Sequence, residues 1–176
     1  MEKVYYTRFD LMAKYLYIKY KEMNIGSNFY KNLYKNHIIT FNDCYEDNGK
    51  KNCIDDFINE FDLLISNIKY RGFDNNYKIP IGKNNIIING AHRLMTCLFY
   101  NIQCQGYYKE EDGCDMYNYN FFVNRQIYPK LERIYSDTMA LEFLKLNSNM
   151  RIMITYPNIY DKYDNIKTII NQYGYL

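Results

Sequence analysis

Four consecutive residues, Gly90-Ala91-His92-Arg93, have the types and the spacing to hold an anion. They follow an apolar run, Ile86-Ile87-Ile88-Asn89, and precede Leu94, Cys97, Leu98 and Asn101 at helical intervals. The chain therefore reads there as a strand, a tight turn and the start of a helix of about three turns. Unpaired backbone N–H groups at a helix start, a glycine that admits close approach and a guanidinium beside them form a phosphate-type site. A plainer reading fits the same residues, with His92 capping the helix and Arg93 pairing with a carboxylate. The tetrapeptide leaves both readings open.

Other groups with chemistry lie upstream. The segment from Asn42 to Lys51 is polar, aperiodic and glycine-containing, so it reads as a loop, and it gathers Asp43, Glu46 and Asp47. Such a cluster is a solvated turn or, beside a phosphate site, the source of a general base. His37 falls on the apolar face of a helix and reads as a core residue. Five cysteines, Cys44, Cys53, Cys97, Cys104 and Cys114, contain no CxxC pair. With only His37 and His92 beside them they spell no zinc site, and reduced cytosolic thiols are expected.

The elements that must position these groups follow from periodicity. Thr7-Arg8-Phe9-Asp10 reads as an N-cap with a carboxylate three residues on, and Phe9, Met12, Leu16, Tyr20 and Met23 continue as a helix. Gly26-Ser27 ends it and caps a second helix carrying Tyr30, Leu33, Tyr34, His37, Ile38 and Phe41 on one face. From Cys53 to Arg71 the pattern is clearest, with Ile54, Phe57, Ile58, Phe61, Leu64, Ile65 and Ile68 on one stripe, acids in the first turn, bases in the last and Gly72 as the stop. Lys83-Asn84-Asn85 makes a hairpin-type turn between Ile79-Pro80-Ile81 and Ile86-Ile87-Ile88. Gly106 to Asp115 reads as an acidic loop, and Tyr117, Tyr119, Phe121 and Val123 alternate as a strand. Pro129 breaks the chain before a helix from about Asp137 to Leu146. Met150 to Tyr156 reads as a strand and Tyr160 to Tyr173 as a helix, an ending that leaves room for a C-terminal continuation.

At 176 residues, 48% hydrophobic and 24% charged, the chain is expected to form one soluble domain with no membrane span and a cytoplasmic location. A net charge of +2 and a pI near 8.1 fall short of the basic excess a nucleic-acid protein needs. The first 35 residues nevertheless hold Lys14, Lys19, Lys21, Lys31 and Lys35 among tyrosines, a candidate basic strip whose alternative is a solvated face.

In combination, Leu64-Ile65-Ser66-Asn67-Ile68-Lys69, Gly72-Phe73, Ile79-Pro80-Ile81 and Ile88-Asn89-Gly90-Ala91-His92-Arg93-Leu94 resemble the ParB/sulfiredoxin-like superfamily. The resemblance implies an α+β fold, a small mixed sheet flanked by helices, here with two extra N-terminal helices (1–41) packed on a nucleotide-binding domain (42–176). Ala91 stands where sulfiredoxins carry their essential cysteine, and no helix-turn-helix of the ParB type follows. The pattern is closest to the free serine kinase branch, whose Asp-Gly-His-His-Arg box is matched by Asn89 to Arg93 with two departures, Asn89 and Ala91. Tyr156-Pro157 echoes a tyrosine-proline pair of that branch, and its catalytic glutamate, counted back from Asp56-Phe57-Ile58, falls on Glu46 and Asp47.

That resemblance implies a nucleotide-dependent phosphotransferase acting on a small hydroxyl compound, a sugar or an amino acid. ATP or ADP with Mg²⁺ would be the cofactors. Asn89, Gly90, Ala91, His92, Arg93 and Ser66 would bind the nucleotide, Glu46 would take the acceptor's proton with Asp47 as alternate, and Tyr156 would line the acceptor pocket. The departures at Asn89 and Ala91 are the best support for the alternative of a nucleotide-binding module without turnover, and a ParB-like DNA-binding protein is the third alternative.

Overall fold

The computed structural model describes residues 8–25, 27–44, 51–114, 116–118, 121–122 and 129–146. Glu46, Asp47 and Tyr156 lie outside the described residues, as do the expected strand at 150–156 and the helix at 160–173. Within them the chain is α+β. In order it forms α1 (Leu11–Glu22), α2 (Phe29–Asn42), α3 (Ile54–Arg71), a 3-10 turn (Asn75–Tyr77), β1 (Ile79–Ile81), α4 (Ala91–Phe99), β2 (Gly106–Tyr108) and α5 (Pro129–Leu146).

α3 forms where its stripe predicts, burying Phe57, Ile58, Phe61, Ile65 and Ile68. Its start is a capping box, in which the Cys53 side chain and the Asp56 carboxylate each satisfy the other's backbone N–H. Gly72, at φ +80°, takes the backbone out of the helix while its N–H still reaches the Ile68 carbonyl. α1 is buried on nearly every side, with Leu11, Met12, Ala13, Lys14, Leu16, Tyr17 and Ile18 all enclosed. It packs on α2, α4 and α5, so the helices expected as an extension share one core with the rest of the described chain. No helix among the described residues is long and apolar enough to cross a membrane.

The sheet differs from expectation. Gly106–Tyr108, predicted as loop, is a strand parallel to β1, with Ile79 opposite Gly106 and Ile81 opposite Tyr108. Parallel pairing depends on a distant partner, and three residues carry no period that announces it. The strand expected over Ile86-Ile87-Ile88 shrinks to a single antiparallel bridge, Ile81 with Ile87. The turn holding it is as predicted, for the Gly82 N–H donates to the Ile86 carbonyl at 2.8 Å. Phe121 and Phe122 are helical where alternation predicted a strand. α5 begins at Pro129, not near Asp137, because proline at the first helical position loses only an N–H that would have no helical partner.

Candidate functional site at the start of α4

The site is built by three elements. β1 and its hairpin deliver the chain to Gly90, whose backbone sits at φ +89° and ψ 19° in the left-handed region that favours glycine. The Asn89 Oδ1 accepts the Gly90 N–H at 2.6 Å, fixing the turn from outside. A Cβ at Gly90 would stand 3.1 Å from the Arg93 guanidinium and 3.4 Å from Ile79. Gly90→Ala is therefore expected to lower stability by about 1–2 kcal/mol, read as a shifted urea midpoint with unchanged slope.

From this start the side chains diverge. Arg93 turns back over the 3-10 turn, where its Nη1 donates to the Tyr77 carbonyl and, at 3.5 Å, to the Lys78 carbonyl. His92 turns inward instead. Its ring meets Phe61 edge-on at 4.5 Å between centroids, and its Nε2 shares a 2.9 Å hydrogen bond with the Tyr34 hydroxyl. The residue keeps some exposure at its edge, but the ring is packed. Burial, with the nearby positive charges of Lys14 and Lys51, holds His92 neutral well below the ordinary histidine pKa. A neutral imidazole brings a dipole to an anion, not a charge.

Arg93 stands where two depressions meet. The larger, about 750 Å³, runs between the end of α3 and the 3-10 turn and is walled by Asn67, Arg71, Phe73, Asp74, Tyr77 and Arg93. The smaller, about 210 Å³, is walled by Lys51, Glu60, Asn89, Gly90, His92 and Arg93. Leu64 lies under both. Lys51 and Glu60 form an ion pair at 2.9 Å across the smaller depression, and the Lys51 ammonium rests 4.9 Å from the centre of the Phe57 ring. Of the predicted residues, Asn89, Gly90, His92 and Arg93 converge on the smaller depression, while Ala91 begins the helix behind them. Ser66 is exposed on α3 and lines neither depression. Lys51, Glu60, Arg71, Asp74 and Tyr77 were not singled out from sequence. Glu60 and Arg71 sit one and two turns from Phe57 and Leu64 on α3, so a helical projection already aims them at the α4 start.

A second concentration of charge lies beneath the site. Arg8 grips Asp10 with two bonds, Nε to Oδ1 at 2.7 Å and Nη2 to Oδ2 at 2.9 Å, and its Nη1 donates to the Ile87 carbonyl at 2.7 Å. The Lys14 ammonium reaches Asp10 Oδ2 at 3.4 Å and His37 Nε2 at 2.8 Å. Arg8, Asp10, Lys14 and His37 are all under 7% exposed, so each charge must be answered within the fold. Burial works against the Asp10 carboxylate, but Lys14 and Arg8 outweigh it and hold its pKa below the usual range. Burial brings Lys14 down to about 8 against the pull of Asp10. Burial and the charge on Lys14 keep His37 neutral, and among the described residues its Nδ1 has no hydrogen-bond partner.

Four of the five lysines of the candidate basic strip, all but Lys31, stand in ion pairs with carboxylates of the fold. Besides Lys14, Lys19 meets Glu142 at 2.7 Å, Lys21 meets Asp62 at 2.6 Å and Lys35 stands 3.9 Å from Asp55. Among the described residues no group of three His, Cys, Asp or Glu side chains is placed to hold a metal. Compared with known proteins, the chain matches no protein family, no curated protein and no solved structure.

Proposed function

We propose that the protein is a nucleotide-dependent phosphotransferase acting on a small hydroxyl compound, with the nucleotide phosphates at the Gly90 to Arg93 helix start. One observation carries the reading: Arg93 lines both a large depression and a small one, and Gly90 and His92 of that helix start line the small one. Transfer between two bound molecules needs this arrangement, with positive charge at the point of exchange and a separate compartment for each partner. The larger depression has room for a nucleotide, offering Phe73 and Tyr77 to a base and Arg71 and Arg93 to its phosphates. The smaller has room for a compact hydroxyl compound beside Glu60, a carboxylate able to take its proton in the role the family resemblance gives Glu46 or Asp47. Lys51, paired with Glu60, would take up charge on the transferred group. Mg²⁺ brought with the phosphates would need only one or two carboxylates, and among the described residues Asp74 and Glu60 line the two depressions.

A module that binds the nucleotide without turnover is a second reading. The Asn89 side chain supports it, since its Oδ1 is engaged by the Gly90 N–H. The experiment is a thermal-shift series with ATP, ADP, CTP and GTP, each with Mg²⁺, on the wild type and Arg93→Ala. One nucleotide at 100 times its dissociation constant should stabilise the wild type by about 2.7 kcal/mol and leave Arg93→Ala unmoved. No shift with any nucleotide would overturn both readings. A shift without nucleotide consumption across a panel of sugars and hydroxy amino acids would leave the module alone standing. Where there is consumption, Glu60→Gln and Glu46→Gln tell which carboxylate takes the proton.

A further inference from the structure

The ring of His92 is held from behind. Tyr34, on α2, is fully enclosed between Tyr17 and Phe61, 4.7 and 5.3 Å away between ring centres, and its hydroxyl meets the His92 Nε2 at 2.9 Å. Among the described residues that nitrogen is the hydroxyl's one hydrogen-bond partner. A phenol has a single hydrogen to give, and a buried O–H without an acceptor costs the full loss of its water. Burial first, then the neighbouring Tyr17 and Asp62, push Tyr34 well above the ordinary tyrosine pKa, so the hydroxyl keeps that hydrogen. The bond therefore runs from the Tyr34 O–H to Nε2, which must be bare to accept it. In a neutral imidazole the proton then sits on Nδ1.

Nδ1 faces the other way. His92 walls the smaller depression, and among the described residues no group meets its Nδ1. Nor is that atom sealed in, for the enclosed histidine nitrogen without a partner is the Nδ1 of His37. An N–H on Nδ1 thus opens on the depression, beside Gly90 and Arg93.

We propose that Tyr34 is a positioning residue of the site, its bond to Nε2 holding His92 as the Nδ1–H tautomer so that an N–H donor faces a phosphoryl oxygen in the smaller depression. The identity of that oxygen rests on the phosphotransferase reading, whereas the tautomer does not. Arg93 brings charge to both depressions, and His92 brings direction to one. A donor already fixed in orientation needs no rearrangement when charge develops on the oxygen it faces. Phenylalanine would fill the place of Tyr34 in the core, so the hydroxyl is what this role requires.

The experiment labels the two histidines with nitrogen-15 and reads their ring nitrogens by long-range proton–nitrogen correlation near neutral pH. It is run on the wild type, on Tyr34→Phe and on His37→Gln, which leaves the His92 signals alone for assignment. In the wild type His92 should show a protonated Nδ1 and a bare Nε2, and inorganic phosphate should move the Nδ1–H signal while His37 stays in place. Tyr34→Phe keeps the ring and loses the bond, so it should show both tautomers of His92 and bind phosphate about threefold to tenfold more weakly. A wild-type His92 with its proton on Nε2 overturns the proposal, and so does an Nδ1–H signal that phosphate leaves unmoved. Should Tyr34→Phe fold poorly, the wild-type spectrum decides by itself. The nucleotide series separates this inference from the reading it rests on. Nucleotide binding with the proton on Nε2 sinks the inference and spares the phosphotransferase, whereas an Nδ1–H that phosphate moves, with no nucleotide bound, does the reverse.

Discussion

Asp10→Asn is expected to destabilise the fold by about 3–5 kcal/mol, the cost of leaving buried positive charge without its counter-charge. The substitution is nearly isosteric and keeps an oxygen for Arg8, so lost packing contributes little. What it removes is the negative charge that Arg8 holds with two bonds and that Lys14 approaches at 3.4 Å. Lys14 can escape part of the cost by releasing its proton, since burial already holds it at about 8. Arg8 has no such escape, because a guanidinium does not deprotonate in a protein. The loss should therefore be smaller at pH 9 than at pH 7. Asp62→Asn is the control, for the side chains of Asp62 and its ion-pair partner Lys21 are 34% and 32% exposed, asparagine keeps an oxygen for the Tyr17 hydroxyl, and its loss should cost under about 1 kcal/mol. Urea midpoints of the three proteins measure both values. A loss below about 1 kcal/mol for Asp10→Asn would mean that water reaches the cluster.

Acid should unfold the protein well before its carboxylates are protonated. His37 is neutral in the fold because burial, Lys14, His92 and Arg8 all oppose its charge. The unfolded chain takes a proton on this histidine as the pH falls through about 6.5, whereas the fold does not. Below that point the unfolded state binds more protons, so stability falls with falling pH by about 1.4 kcal/mol per unit for each such histidine. A histidine that stays neutral in the fold accounts for about 2.3 kcal/mol between pH 6.5 and 4.5, and His37 and His92 act in the same direction. Asp10 adds a second acid limb lower down, since its folded pKa is depressed and its contribution is lost only as the pH falls below about 3.9 toward the folded value. The wild type should therefore lose midpoint steeply from pH 6.5, and His37→Gln, which keeps an acceptor for Lys14, should lose it less steeply. A flat wild-type profile between pH 7.5 and 4.5 would contradict the neutral state of His37.

What was legible in the sequence was what local pattern determines. The α3 stripe from Ile54 to Ile68, the turn at Lys83-Asn84-Asn85 and the left-handed glycine before a helix at Ala91 each follow from residues within a few positions of one another. β2 was not legible because its partner lies 27 residues upstream in the register Ile79 to Gly106. The charge cluster was missed for a different reason. Lys14 reads from sequence as part of a basic strip or a solvated face, but α1 is apolar around it, from Leu11 to Ile18, which is the pattern of a buried helix. A lysine within such a helix, four residues after an aspartate and with a histidine on the apolar face of the next helix, was the available signal. His92 and Arg93 looked alike as candidate anion ligands, yet one enters the aromatic core at Phe61 and Tyr34 while the other spans the surface to the Tyr77 carbonyl. Neighbours on a helix point about 100° apart, so adjacency in sequence was never evidence of a shared direction.

The bond from Arg8 to the Ile87 carbonyl bridges 79 residues, and that span sets a clock on synthesis. At about 5–20 residues per second the ribosome needs roughly 4–16 s after making Arg8 before Ile87 exists at all. Lys19 waits longer for Glu142, 123 residues away. Throughout that interval α1 leaves the exit tunnel without the helices that later enclose it. The nascent chain thus exposes α1 before the helices that enclose it exist, which makes α1 a natural target for a ribosome-associated holdase.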